Sequence, residues 1–342
     1  MHLLIPHANS AAEPARALWP TLALPHLQAL LGRLARQPAT ASATAEPRLS
    51  MPHERQLAER LGLPTDDGRI PYAAWQRWHS SGAADGTPCA VLTLCHWQVT
   101  TQHVRLLPPA HLPLTAQEDQ ALLATLSDFF APDGLALAAT GQPGRWFATG
   151  ELLRELPCAS LDRLIGNEVD ATLLGLADHA AARTVRRLQN ETQMLLYTHP
   201  VNEAREASGM PPVNAFVLSD AGAWQPPPGY APPQLTHWRG SETAGSLLPP
   251  APGAILQVET LRDAALREDW HGWAAAWQAI DAQLARPEWQ AAARHPDFTL
   301  TLCGDEASPT WRGQQASSAW GALLQRFKRG TGAAELDWLR QL

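Results

Sequence analysis

Side chains suited to binding an anion are concentrated in one segment, Arg187 to Gly222, which reads RLQNETQMLLYTHPVNEAREASGMPPVNAFVLSDAG. The pattern predicts a helix end, a turn and a strand start, and polar groups at such junctions often build the sites of α/β proteins. Arginine holds phosphate or carboxylate through a planar fork of donors. We therefore predict a ligand-binding site made of His199, Asn202, Arg205 and Asn214.

A structural role would explain the same residues. The two asparagines and His199 could satisfy backbone groups in a tight connection, as short polar side chains commonly do. Arg205 would then be a surface charge, or it would pair internally with an acid such as Glu191 or Asp220. Residue types and spacing leave both interpretations open.

A second candidate site follows a predicted buried strand, Phe298 to Cys303. Asp305 and Glu306 come directly after it, within the stretch TLCGDEASP. Two carboxylates at the carboxyl end of a strand could hold Mg²⁺ or Mn²⁺, because these hard cations take oxygen ligands. The alternative is a pair of turn carboxylates without a metal. Mn and Mg are the cofactors that this pair suggests.

Tryptophans are frequent towards the C-terminus, where Trp270, Trp273 and Trp277 lie three and four residues apart. This spacing places them on one face of a predicted helix. Core packing is the favoured interpretation. A binding surface for a protein partner in this Trp-rich C-terminal half is the alternative.

Buried strands alternate with helices along much of the chain, which predicts an α/β protein with a mostly parallel sheet flanked by helices. Residues 103–149 instead read as strand, helix, strand and strand, a pattern typical of a small α+β unit, and Thr115 and Glu118 form a capping box that predicts the start of the helix. We predict a core from residues 1–99 and 181–342, and an inserted α+β domain from residues 100–180. The predicted strands lie at residues 2–5, 89–95, 214–218, 255–259 and 298–303.

Composition narrows the classes of protein. The net charge is -7 and Lys328 is the only lysine, so the 342 residues carry no basic stripe for nucleic acid. No apolar run approaches the roughly 20 residues of a membrane helix. The four cysteines are scattered and lack close pairs, and MHLLIPHANS lacks the features of a signal peptide. We therefore expect a cytoplasmic protein without a nucleic-acid or membrane partner.

The stretch from His199 to Asn214 has the form HPVN-x-x-R followed by G-x-x-x-x-N. It resembles cofactor-independent phosphoglycerate mutases of the archaeal type, and still more their bacterial relatives, the RpfE-type regulatory proteins. The resemblance implies an alkaline-phosphatase-like core with two divalent metals, a serine nucleophile and a small inserted domain. Asp305 matches a metal-binding aspartate of that family, but Glu306 stands where the family has histidine.

Other positions depart from the family pattern. The first strand ends in Pro6-His7-Ala8, where the family has an Asp-Gly metal ligand, and Ser50 lacks the context of the family's nucleophile. A two-metal mechanism needs several converging ligands. We therefore predict a degenerate mutase-like protein that binds a small phosphorylated or anionic ligand in a regulatory role. The alternatives are an active metal-dependent phosphomutase or phosphatase with rearranged ligands, and a protein-interaction scaffold.

Overall fold

The computed structural model describes residues 1–38, 48–99, 104–169, 174, 181–240 and 245–314. The chain forms two compact units. Unit 1 comprises Met1–Ala43, Pro52–Leu57 and Pro232–Leu342, and unit 2 comprises Thr44–Met51 and Ala58–Ala231. The predicted insert at 100–180 therefore covers only part of unit 2, and its independence as a domain stays a prediction.

The described strands, numbered along the chain, are β1 His2–Ile5, β2 Leu34–Arg36, β3 Cys89–Cys95, β4 Trp97–Val99, β5 Val104–Leu106, β6 Ala136–Gln142, β7 Arg145–Thr149, β8 Ala215–Gly222, β9 Leu235–Trp238, β10 Ile255–Val258, β11 Thr299–Leu302 and β12 Thr310–Gly313. The described α-helices are α1 Glu13–Leu18, α2 Pro25–Leu31, α3 Pro52–Leu61, α4 Tyr72–Ser81, α5 Ala116–Phe130, α6 Leu161–Leu164, α7 Ala182–Tyr197, α8 Pro200–Ala207, α9 Thr260–Ala265, α10 Trp270–Leu284, α11 Pro287–Ala292. None of these helices has the length and apolar character needed to cross a membrane.

Unit 1 contains a six-stranded sheet with the order β2-β12-β11-β1-β10-β9. The four strands β11, β1, β10 and β9 run parallel, whereas β12 and β2 pair antiparallel at one edge. Every residue of β1 and β10 is buried, as the continuous apolar runs predict for inner parallel strands. The predicted α/β architecture with a mostly parallel sheet is confirmed for this unit.

The core of unit 1 is rich in tryptophan. Trp273 and Trp277 of α10 are completely buried, and their rings lie 5.7 and 6.2 Å from the ring of Trp19. Such tilted and edge-to-face pairs stabilise a core beyond their buried area. Core packing is therefore confirmed for these two side chains, which cannot face a partner. Partner binding by the rest of the C-terminal half stays a prediction.

Unit 2 contains a four-stranded antiparallel sheet with the order β6-β7-β3-β8. The apolar run CAVLTLC forms β3, which is an inner strand as its composition predicts. Its partners β7 and β8 are antiparallel, so β3 does not belong to the parallel sheet. Helix α5 begins at the predicted capping box, in which Thr115 and Glu118 satisfy each other's backbone N–H groups.

Candidate functional site

The predicted site in unit 2 begins where α7 ends and α8 starts. His199 is the N-cap of α8, and its Nδ1 accepts a hydrogen bond from the Val201 N–H at 3.2 Å. Its Nε2 lies 3.1 Å from the hydroxyl of Thr125 on α5. Burial lowers the pKa of His199, because removal from water disfavours the charged imidazolium. Both ring nitrogens therefore have partners within the protein.

The two asparagines of this segment close the connection between α7 and β8. The amide nitrogen of Asn202 donates to the carbonyls of Leu196 and Val213 at 2.8 and 2.6 Å, and its oxygen accepts from the Val213 N–H at 2.8 Å. Asn214 bonds both the N–H and the carbonyl of Trp97, at 2.7 and 3.0 Å. Each side chain forms hydrogen bonds with backbone groups, as the structural interpretation of both residues predicts.

Arg205 is almost completely buried, with 1% of its surface exposed. Its Nε donates to the Pro211 carbonyl at 2.9 Å, and its Nη1 donates to the Pro113 carbonyl at 3.0 Å and to the Glu118 carboxylate at 2.8 Å. These contacts favour the internal ion pair, with Glu118 as the acid in place of Glu191 or Asp220. The ligand-binding role of the four residues stays a prediction.

In unit 1, the loop after β1 is fixed by the tryptophan helix. The indole N–H groups of Trp273 and Trp277 donate to the carbonyls of His7 and Ala8 at 2.8 and 3.2 Å. The Ala8 N–H donates to the Cys303 carbonyl at 2.7 Å, which joins this loop to the end of β11. His7 itself has a φ of 51°, a left-handed conformation that is uncommon outside glycine. These hydrogen bonds hold the backbone at the carboxyl end of β1 in one conformation.

The predicted metal pair, Asp305 and Glu306, lies in the neighbouring loop. One Asp305 carboxylate oxygen accepts hydrogen bonds from the Ala11 N–H at 2.7 Å and the Ser10 hydroxyl at 3.3 Å. Glu306 is exposed. In the part of the chain that the structure describes, neither carboxylate belongs to a group of three or more side chains placed to share an ion. Metal binding by this pair stays a prediction.

The carboxyl ends of β9 and β10 carry a charged cluster that sequence reasoning missed. Glu259, 4% exposed, directly follows β10 and lies 2.7 Å from Nδ1 of His237 and 3.6 Å from Arg262. Burial opposes ionisation of Glu259, but the contacts with His237 and Arg262 lower its pKa overall. A glutamate directly after an apolar strand was the available signal. Strand β9 was not among the predicted strands, and His237 was therefore not considered.

Arginines surround a second carboxylate beside this cluster. Burial and the charge of Glu259 raise the pKa of Asp263, against the opposing effect of Arg262, Arg239 and Arg267. Several cationic groups therefore lie at the carboxyl edge of the parallel sheet, although the chain as a whole has a net charge of -7. Local positive charge at a strand edge attracts anions.

Two buried histidines lie at the same edge of unit 1. His7 and His53 are 5% and 3% exposed, and their ring centres are 5.5 Å apart with a tilt of 50°. His53 lies in the first turn of α3 and contributes to the lowered pKa of Glu259. Sequence reasoning noted His7 only as a departure from the family pattern and did not consider His53, since 46 positions separate the two in the chain.

The solved structures to which this chain is similar include two archaeal proteins. A cofactor-independent phosphoglycerate mutase from Thermoplasma acidophilum DSM 1728 is 13% identical, with 92% of this chain and 90% of that chain covered and a TM-score of 0.36. The PH0037 protein from Pyrococcus horikoshii is 12% identical, with 92% and 87% covered and a TM-score of 0.39. No protein-family model and no curated protein matches. With TM-scores this low, neither similarity establishes the fold or the activity of this chain.

Proposed function

We propose that this chain binds a small phosphorylated anion at the carboxyl edge of the parallel sheet in unit 1 and does not interconvert phosphoglycerates. The observation that carries the proposal is the presence of two arginines, Arg239 and Arg262, together with His237 at the ends of β9 and β10. Ligands of α/β proteins bind outside the carboxyl ends of parallel strands. The sequence resemblance to phosphoglycerate mutases suggests phosphate as the anionic group.

The arginines give this edge the chemistry that phosphate needs. Arg239 is exposed and Arg262 is partly exposed, so both can present N–H donors to a ligand from solvent. Glu259 is a buried carboxylate that contacts His237 and Arg262. A guanidinium carries five N–H donors, so one that contacts a carboxylate can also donate to a phosphate group. A phosphate group can therefore bind without displacing Glu259.

The two-metal mechanism that the family resemblance implies does not fit the residues present. At the end of β1, the family's aspartate is replaced by Pro6-His7. The Asp305 carboxylate accepts hydrogen bonds from the Ser10 hydroxyl and the Ala11 N–H, and Glu306 is exposed. Phosphoryl transfer depends on positioning and charge neutralisation by several converging groups. A binding protein with a regulatory role is therefore the proposed function.

Isothermal titration calorimetry with inorganic phosphate and with 3-phosphoglycerate, in the presence of EDTA, tests the site. An Arg239→Gln, Arg262→Gln double variant should bind at least about tenfold more weakly, because a hydrogen bond to a charged group contributes about 1.5–3 kcal/mol. The matched control is an Arg16→Gln, Arg33→Gln double variant, which removes two exposed arginines from elsewhere in unit 1. The control should bind like the wild type.

Three outcomes would contradict the proposal. Equal affinities in the wild type and both double variants would exclude the β9–β10 edge as the site. A loss of affinity confined to an Arg205→Lys variant would move the site to the polar segment of unit 2. The absence of any binding by the wild type would remove the anion-binding function itself.

A further inference from the structure

We propose that His7 and His53 form a binding site for one divalent transition-metal ion of the zinc class, with coordination positions left for water or an exogenous ligand. The proposal uses neither the anion-binding cluster nor the carboxylate pair Asp305 and Glu306. It starts from two imidazoles that the fold buries side by side within unit 1.

The distance between the rings fits a shared ion. Zinc binds a histidine nitrogen at about 2.0–2.1 Å, and that nitrogen lies about 1.1 Å from the centre of its ring. Two imidazoles on one tetrahedral ion therefore have ring centres roughly 5 Å apart. The observed separation is 5.5 Å, and ligating ring nitrogens of the two residues lie within 4.8 Å of each other. A small rotation of either ring closes the remaining gap.

The backbone around His7 is arranged before any ion binds. Trp273 fixes the His7 carbonyl at 2.8 Å, and the residue adopts a left-handed φ of 51°. Sparsely populated backbone conformations cluster at functional sites, where the surrounding structure holds them in place. His53 is placed independently, by the first turn of α3. Two rigid elements thus present the two imidazoles, as a metal site requires.

The ligand type selects the metal. Imidazole suits Zn²⁺, Co²⁺, Ni²⁺ and Cu²⁺, whereas Mg²⁺ and Mn²⁺ prefer carboxylate and carbonyl oxygen. Where the family resemblance implies an aspartate for Mn²⁺ or Mg²⁺ at the end of β1, this chain therefore has a donor for a different class of ion.

Zn²⁺ and Co²⁺ titrations of the full-length chain test the site. We expect one ion per wild-type chain, and an affinity at least about tenfold weaker in His7→Asn and in His53→Gln, since even residues that only support metal ligands change affinity 10–100-fold. Asparagine is chosen at position 7 because it tolerates a left-handed φ. His26→Gln removes an exposed histidine of α2 and should bind like the wild type.

Pulsed electron paramagnetic resonance of the Cu²⁺ form gives a second measurement that needs no variant. Coupling to the nitrogens of two imidazoles in the wild type is expected. Wild-type protein that binds no ion, variants that bind as tightly as the wild type, or a Cu²⁺ spectrum without coupling to two imidazoles would each overturn the proposal. If either variant fails to fold, the wild-type spectrum decides.

Discussion

Replacement of Arg205 should destabilise unit 2 far more than it changes anion binding. Arg205 is 1% exposed and makes three hydrogen bonds, to two carbonyls and to the Glu118 carboxylate. Arg205→Leu leaves Glu118 without its cation, and removing one partner of a buried ion pair costs about 3–5 kcal/mol. Arg205→Lys keeps the positive charge but loses the planar guanidinium. The two hydrogen bonds to carbonyls are therefore lost, and each contributes about 0.5–1.5 kcal/mol to the free energy of unfolding.

Urea unfolding followed by circular dichroism measures both free energies. The matched control is Arg187→Lys, because Arg187 also pairs with acids, Glu191 and Asp133, but is 45% exposed. Exposed ion pairs contribute only about 0–1 kcal/mol. The expected order of stability is therefore wild type, Arg187→Lys, Arg205→Lys and, least stable, Arg205→Leu.

The pH dependence supplies an independent check. Burial raises the pKa of Glu118, but hydrogen bonds from Thr115 and Arg205 outweigh it and lower the pKa below the ordinary value of 4.5. A carboxyl whose pKa is lowered by folding stabilises the protein above its unfolded pKa, and this stabilisation is lost as the pH falls through the folded pKa. The difference between the wild type and Arg205→Leu should therefore be largest near neutral pH and shrink below about pH 4.5.

One result would refute this reasoning. Arg205 variants as stable as the wild type, combined with weakened phosphate binding, would mean that the guanidinium serves a ligand. In that case the prediction of a site at His199, Asn202, Arg205 and Asn214 would be correct.

Three further predictions concern other parts of the chain. An assay of 2-phosphoglycerate and 3-phosphoglycerate interconversion with added Mn²⁺ should show no turnover in the usual enzyme range of about 1–10³ s⁻¹, and turnover in that range would contradict the degenerate interpretation. If Asp305 and Glu306 share a cation, calorimetry should detect Mn²⁺ or Mg²⁺ binding that the double alanine variant loses, whereas identical titrations would make the pair structural. Thr115→Ala should cost about 1 kcal/mol in urea unfolding, because it removes the N-cap of α5, and an unchanged midpoint would mean that the capping box contributes nothing.

Local sequence patterns predicted the elements of the fold well. Short apolar runs located β1, β3, β10 and β11, and the capping box located the start of α5. The parallel sheet followed from strands alternating with helices. The pairing of strands was harder to predict. The segment CAVLTLC has the composition of any inner strand, and nothing in it distinguishes parallel from antiparallel partners. Its place in the sheet of unit 2 depends on residues that are distant in the chain.

The sites proposed at the edge of unit 1 were mostly beyond sequence reasoning. His7 and His53 approach each other only because α3 and the loop after β1 meet in the folded unit. Strand β9 was hidden in a proline-rich stretch, and with it the contact between His237 and Glu259. Convergence of this kind depends on tertiary structure, and a single sequence records neither the distance nor the burial.

The polar segment of unit 2 shows why residue types alone do not separate a site from a connection. A tight connection leaves backbone groups without regular partners, and Asn202 and Asn214 satisfy them with the same amides that a ligand would use. Arg205 joins this connection to α5 through Glu118, which also belongs to the capping box of that helix. A site needs donors that face solvent, whereas these face the protein. Exposure is therefore the quantity that decides between the two interpretations, and it favours the edge of unit 1, where Arg239 and His237 reach solvent.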